Sequence, residues 1–334
     1  MRVRIVYNTG PLPEHRIKTL SSWRKLANDV DLVFTFPETY QRRFVDRALH
    51  RAGVPTDPGR INLRVLGLQE SAAADLVFFV KGLHIRPSTV QSLKRMGARC
   101  VFWSNDDMWR RHNRNWWFTR AARHYDLVVT QKSYNCDPGE LPSLGARVLF
   151  QDKAYDPALH YPVPGGDDAY RHPVLFIGTD EKPRQVALRM LAEQGIPVHV
   201  YGWGEKSAAV RHPELHLHER HLYGRDYAAA YSSATISLNF LRRQSRDLQT
   251  SRSVEIPACG GFMLAERTLE HSRLFEEGLE AEYFNTRGEL LEKVQYYLAH
   301  SDSAAEIARR ACARAHAGGY SFDDRMSEIL QKVM

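Results

Sequence analysis

The stretch DLQTSRSVEIPACGGFMLAE, residues 247–266, compresses charge between segments that read as buried. Asp247 and Glu255 stand eight residues apart with Arg252 between them, and the run passes at once into Cys-Gly-Gly and an apolar strand. Were those eight residues helical, the carboxylates would lie about 12 Å apart, and a loop would change that gap. Carboxylates so separated cannot serve one proton transfer. They can hold hydroxyls at opposite ends of an elongated ligand, while Arg252 and a helix N-terminus, with Thr250 and Ser251 ahead of it, neutralise charge in the middle. A nucleoside-diphosphate sugar has that layout. Gly260 and Gly261 are placed to end the helix that Glu255 leads, and Pro257 makes it start about one turn earlier or kink.

Other residues offer related chemistry. In LFIGTDEKPRQVALRMLAEQG a strand runs into Gly178-Thr179, then Lys182 and Arg184, then a helix over 184–194. Backbone N–H groups and basic side chains at such an entry suit a phosphate, although many harmless helices open this way. HPELHLHERH, 212–221, reads as a loop lining a ligand's base together with Tyr201, Gly202 and Arg220. His216 and His218 would share one face of a strand as a metal pair, yet no third ligand at structural-zinc spacing accompanies them, so no metal is assigned.

Three further candidates fall in the first half. Asp106 and Asp107 follow the strand at 98–103 and either could be a general base, or both could be solvated aspartates capping the next helix. His84, in KGLHIRP, is a rival base. The segment 103–124 holds Trp103, Trp109, Trp116 and Trp117 interleaved with five arginines. Its rings could stack on acceptor sugars, rest on an anionic membrane or belong to the core. Acceptor contact by Trp103, Trp109 and Trp116 is preferred because the segment leaves a strand facing the expected cleft.

Elements to position these groups are legible as two α/β series. Short apolar runs at 3–8, 31–36, 61–66, 75–80, 98–103, 126–131 and 146–151 read as strands of one parallel sheet. Near-continuous apolar strands imply burial on both faces by helices. The aperiodic, Pro- and Gly-rich stretch 152–172 separates a second series with strands at 173–178, 196–202, 234–240, 262–266 and 281–284, and a helical tail. The expected domains are 1–160, 161–312 and a C-terminal helical segment, 313–334, returning to the first domain.

With 334 residues, 43% hydrophobic and 25% charged, the chain is globular and neither disordered nor fibrous. A net charge of +7 favours an anionic partner without saying which. Four scattered cysteines without a CxxC pair fit reduced thiols. The start MRVRIVYNTG reads as a first strand, and no run approaches the length that spans a bilayer, so the expectation is a cytoplasmic protein, at most peripheral to the inner membrane face.

SRSVEIPACGGFMLAE, with LFEEGLEAEYF, ELLEKVQYYLAH and AHAGGYSFDDRM after it, resembles the C-terminal half of bacterial group 1 glycosyltransferases, in particular the spore-maturation CgeB-like branch. DLVVTQKSYNCDPGELPSLGARVLFQDKAYDPALH and VLFIGTDEKPR resemble the same branch, so similarity covers 125–325, and the first 120 residues share only the strand pattern. The resemblance implies a GT-B fold, two Rossmann-like doubly wound α/β domains facing a cleft, with a C-terminal helix. It also implies metal-independent transfer of a sugar from a nucleotide-diphosphate donor, with no cofactor, to a glycan or lipid-linked acceptor in surface polysaccharide or glycoconjugate synthesis. In the family two glutamates eight residues apart contact the donor, the second at the ribose and the first at the sugar. Glu255 matches the second; Asp247 stands at the first, one methylene shorter. Lys182 and Arg184 resemble the basic pair on the diphosphate, and Arg252 is added from its charge and position. The plain alternative for Glu255 is a helix-terminus carboxylate paired with Arg252. Retention of anomeric configuration is the family's commoner outcome. Two other functions stay open: a non-catalytic or nucleic-acid-directed binding module, although nucleic acid is not the expected partner, and a nucleotide-sugar epimerase of the same fold.

Overall fold

A computed structural model describes residues 1–12, 17, 19–36, 48–49, 52–203, 211–242 and 245–334. The chain forms two compact units, one of Met1–Asp152 with Phe322–Met334 and one of Lys153–Ser321. They change over at 152/153 and 321/322, where the sequence reading has 160/161 and 312/313.

Unit 1 is built on six parallel strands, β1 (Arg2–Tyr7), β2 (Asp29–Phe34), β3 (Leu76–Val80), β4 (Arg99–Ser104), β5 (Leu127–Thr130) and β6 (Val148–Phe150), in the order β2-β1-β3-β4-β5-β6. Its helices include α1 (Leu20–Leu26), α2 (Ile61–Ser71), α3 (Pro87–Arg95) and α4 (Trp116–Ala121). The run LVFFV of β3 shows why the sheet is covered on both sides. Val77 and Phe79 join Val65, Val90 and Leu93 in one cluster, whereas Phe78 meets Trp23 of α1 edge-on, 5.1 Å between ring centroids. Alternate side chains thus leave opposite faces, and both are apolar.

One expected strand is a helix. INLRVL, 61–66, opens α2, which buries Ile61, Asn62, Val65 and Gln69 on one face and leaves Leu63 exposed. A short apolar run fits either element, and here length decides, because the pattern continues through GLQES for eleven residues in all. The buried Gln69 also accepts from Arg4, whose guanidinium bonds Asp31 and the Ala72 carbonyl as well. The terminal helix, Phe322–Val333, joins this unit through Asp323, which accepts from Ser22 and Lys25 of α1 at 2.6 Å each.

Unit 2 repeats the scheme with β7 (Val174–Ile177), β8 (Val198–Tyr201), β9 (Leu215–His218), β10 (Ile236–Asn239), β11 (Met263–Glu266) and β12 (Glu282–Phe284) in the order β12-β11-β10-β7-β8-β9. Around them run α5 (Lys182–Glu193), α6 (Gly224–Ser233), α7 (Arg252–Ala258), α8 (Leu269–Leu274), α9 (Arg287–Ala299) and α10 (Ser301–Ala317). Leu188 and Leu191 of α5 pack on one sheet face with Leu290 and Val294 of α9. Tyr231 of α6 and Val254 and Ile256 of α7 pack on the other. Strand order reverses between β7 and β10, and in open parallel sheets the crevice beyond the carboxyl ends at such a reversal receives ligands.

Among the described residues no helix is long and apolar enough to cross a membrane. All four cysteines are free, with Cys100 and Cys259 buried.

Candidate active site

The reversal point of unit 2 gathers most of the polar residues singled out in that half. β7 ends in Gly178, where a Cβ would stand 2.7 Å from the Phe176 ring, so any side chain there would have to displace that buried ring. Thr179 follows, and Arg184 reaches back to it from the first turn of α5. The guanidinium donates to the Thr179 carbonyl and hydroxyl, each at 2.9 Å, and to the carbonyls of Phe240 and Leu241 just beyond β10, at 3.4 and 3.3 Å. Arg184 therefore clamps two strand ends together, and it is 6% exposed. Burial lowers its pKa, as do the positive charges of Arg252 and Arg242, while Glu181 and Glu266 oppose them. Lys182 opens α5 itself and is exposed.

Arg252 approaches the same point from α7 and donates through Nε to the Ile177 carbonyl at 2.6 Å. Burial works against its charge, but Tyr227, Tyr231 and Glu255 around it prevail and hold its pKa above the ordinary value. Glu255, one turn along α7, is buried. Its carboxylate accepts the Tyr227 hydroxyl at 2.7 Å and lies 3.7 Å from His160 Nε2. Burial, with the Glu255 charge beside it, raises the Tyr227 phenol well above its usual range.

Residues 247–251 precede α7 and are not helical, so the eight-residue spacing spans loop and helix. Asp247 is half-buried in that loop and follows Arg246, which takes a left-handed φ of 50°. α7 ends at Ala258, with Pro257 inside it, and Gly260 follows at φ 77°. Gly261 passes close enough to α6 that a Cβ would meet the Tyr231 carbonyl oxygen at 2.8 Å.

Thr250 is engaged from below. Its hydroxyl donates to Asn239 Oδ1 at 2.8 Å and its N–H to Ser253 Oγ at 2.9 Å. Ser253 lies 2.7 Å from His271 Nε2, and His271 Nδ1 lies 2.7 Å from the Glu266 carbonyl. Burial pushes His271 down to about 4, so its imidazole is neutral and passes one hydrogen bond through each nitrogen. Asn239, Ser253 and His271 escaped the sequence reading, because their contacts join β10, α7 and α8. Arg242 escaped too, although the basic run LRRQSRD signals it; exposed, it lies 3.2 Å from Glu181. A cavity of about 310 Å³ opens beside these groups, lined by Glu181, Arg184, Phe240, Glu266, Asn285 and Arg287.

Tyr201 and Gly202 end β8 on the other side of β7. Tyr201 is buried, with its hydroxyl 3.0 Å from His172 Nε2, and Gly202 has φ 92°. Arg220 donates to the Tyr170 oxygen at 2.6 Å and sits over the Tyr170 and Tyr201 rings. The segment 215–218 is not loop but the edge strand β9.

In unit 1, Asp106 and Asp107 differ. Asp107 is 1% exposed and accepts from the Trp109 N–H and Asn135 Nδ2, with Arg110 at 3.6 Å, so its carboxylate shapes the loop. Asp106 is half-exposed and ion-paired with Lys81, which follows β3. His84 is buried, its Nδ1 2.8 Å from the Thr56 carbonyl and its ring against Phe36. The tryptophans divide as well. Trp103 belongs to the core, Trp109 lies under the Arg114 guanidinium at 4.1 Å, and Trp116 is 52% exposed beside Arg120.

Two doubly wound parallel sheets flanked by helices define the GT-B fold class. Residues 184–331 match the family model described as glycosyl transferase-like. The chain is a glycosyltransferase, and its matched region is group 1-like. Among solved structures it resembles Anabaena HepE in complex with UDP and glucose, with TM-score 0.68, 12% identity and all of both chains covered. It also resembles sucrose-phosphate synthase from Thermosynechococcus elongatus, with TM-score 0.67, 10% identity, 99% of this chain and 98% of that one. A glycosyltransferase from Rickettsia africae gives TM-score 0.67, 10% identity, 99% and 97%. At these identities the likeness establishes the fold. No curated protein matches by sequence.

Proposed function

We propose that this glycosyltransferase takes its sugar from a nucleoside-diphosphate donor held at the carboxyl ends of β7 and β10, and passes it to an acceptor hydroxyl bound by unit 1. One observation carries the reading: Arg184 and Arg242 both approach Glu181 at that reversal point, at 3.6 and 3.2 Å, and Arg252 bonds the Ile177 carbonyl there, with the buried Glu255 on the same helix as Arg252. Cations from the protein answer the charge of a diphosphate without a metal. In this reading Arg242, Arg252 and Lys182 face the phosphates, while Arg184 fixes Gly178 and Thr179 so that their backbone meets the ligand. Glu255 receives the ribose hydroxyls, Asp247 the sugar, and Tyr201, Gly202 and Arg220 the base. Thr250 positions the start of α7 and does not itself touch donor.

In the same reading Asp106, half-exposed beside Lys81, meets the acceptor, and Trp109 and Trp116 offer rings for its sugars. Asp107, His84 and Trp103 support that surface from beneath. The segments quoted around Glu255 support a reading within the CgeB-like branch, and retention is the expected stereochemistry. The acceptor class is a glycan or lipid-linked saccharide, which peripheral contact with the cytoplasmic face of a membrane would serve.

The test is calorimetric titration with UDP, GDP, dTDP and CMP, then with their sugars, UDP first because HepE is described in complex with it. The preferred donor at one hundred times its dissociation constant is expected to stabilise the protein by about 2.7 kcal/mol. Oligonucleotide binding without nucleotide-sugar affinity would turn the reading into a nucleic-acid module. Turnover of the donor sugar with no acceptor would turn it into an epimerase.

A further inference from the structure

Transfer leaves unused a group of histidines at the edge of the unit 2 sheet. His199 stands on β8, His216 and His218 on β9, and His172 just ahead of β7. Register sets His199 beside His216 and Tyr201 beside His218, so these side chains share one face of the edge strands. The His172 ring lies flat on that of His199, with centroids 3.7 Å apart. His199 Nδ1 is 3.1 Å from His218 Nε2. One nitrogen from each of His172, His199 and His218 falls within 4.8 Å of the others.

The sequence offered only a pair on β9 and no third ligand. Folding supplies the missing ligands from β8 and from the approach to β7, and it uses His218 and not His216 of the original pair. The geometry points to a divalent transition-metal site, of the zinc class, formed by His172, His199 and His218.

Imidazole nitrogens at about 2.0–2.1 Å from a tetrahedral ion stand about 3.3 Å apart, so closure needs the nitrogens to draw together and the His172 and His199 rings, 12° from parallel, to turn until both in-plane lone pairs meet the ion. A ligand set of three imidazoles with no carboxylate selects zinc, cobalt or nickel over magnesium and calcium. An imidazole's ordinary pKa is about 6.5, so at neutral pH such rings present a lone pair to a metal. Tyr201, 3.0 Å from His172 Nε2, orients that ring as an outer partner does in a metal centre. Arg220, bound to the Tyr170 oxygen and lying over the Tyr201 ring, brings positive charge nearby and so favours an anionic fourth ligand such as hydroxide. Because the three histidines come from separate segments, the ion would pin the short edge strand β9 to its neighbours.

The test uses the full chain, stripped with chelator, and reads metal and not transfer. Zinc is titrated by calorimetry and cobalt by visible absorption. The expected result is a cobalt spectrum of a low-coordinate, nitrogen-ligated ion in the native chain, and zinc affinity lowered by about tenfold or more in both His199→Ala and His218→Ala but not in His216→Ala. Absence of that spectrum from the native chain would overturn the site, whatever the variants do. Zinc binding of equal strength and stoichiometry in all three variants would assign the metal to other histidines and overturn it too.

Discussion

The two sheets reverse their strand order at different kinds of place. In unit 1 the reversal falls between β1 and β3, and the polar residues beyond it, Lys81 and Asp106, form a pair whose side chains are 27% and 40% exposed. In unit 2 it falls between β7 and β10, and the polar residues there are buried and interlocked from Asn239 through Thr250 and Ser253 to His271. Buried polar groups of that kind are costly unless every partner is in place, and when satisfied they fix one geometry. Unit 2 therefore presents a rigid, pre-set surface at its reversal, which the proposed function assigns to the donor. In unit 1 the Lys81–Asp106 pair is partly solvated, and the proposed function assigns it to the acceptor.

Acid should separate them most strongly. His271 is fully buried and held at about 4, against about 6.5 when unfolded. The unfolded chain takes up a proton as pH falls through the ordinary value, and the folded one does not until about 4. The stabilisation is thus complete above pH 6.5 and is lost as pH drops from there toward 4, a total of about 3 kcal/mol at most. Hydrogen exchange resolves the units separately, which a single melting curve would not. Amides of β10 and α7 are expected to lose protection between pH 7 and pH 5 more than those of β3 and β4. His271→Gln should start less stable and lose less over that interval. Equal loss in both units, or an unchanged pH dependence in the variant, would remove the distinction.

The next effect is smaller and tests what the rigid surface is for. Glu255→Gln keeps an acceptor for the Tyr227 hydroxyl, so the fold is expected to hold. Without the carboxylate's charge the ribose contact weakens, and donor affinity should fall at least tenfold, about 1.4 kcal/mol, in a titration. Unchanged affinity would leave Glu255 as a structural carboxylate between Tyr227 and His160.

Which of these features could be read beforehand follows from how local their causes are. The runs at β3, β5 and β7 are apolar on both faces, and that property belongs to each segment alone. EIPACGG likewise carries its own helix end, since Gly260 needs its left-handed φ whatever surrounds it. INLRVL misled because six residues cannot distinguish a strand from a helix that runs to Ser71. The clamp made by Arg184 was invisible for another reason. Its acceptors at Phe240 and Leu241 lie more than fifty residues away, so a basic residue near a glycine turn read as a ligand contact. The same holds for the carboxylates at 106 and 107, which look alike in sequence until Asn135 and Trp109 bury one of them.

The smallest expected effect lies in unit 1 and gives the comparison its sharpest form. Lys81 adopts a left-handed φ of 52°, which costs a side-chain-bearing residue about 1–2 kcal/mol over glycine. Its ion pair with Asp106 is partly solvated, so losing it should cost below about 1 kcal/mol. Lys81→Gly relieves the backbone and breaks the pair, whereas Lys81→Ala only breaks the pair. The glycine variant should therefore unfold at a higher temperature than the alanine variant, by an amount equivalent to about 1 kcal/mol. Both should lose acceptor turnover equally while binding donor as the native chain does. If the two variants melt together, the strain is not real; if donor binding falls with acceptor use, Lys81 serves more than a surface for acceptors, and the division of labour between the sheets fails.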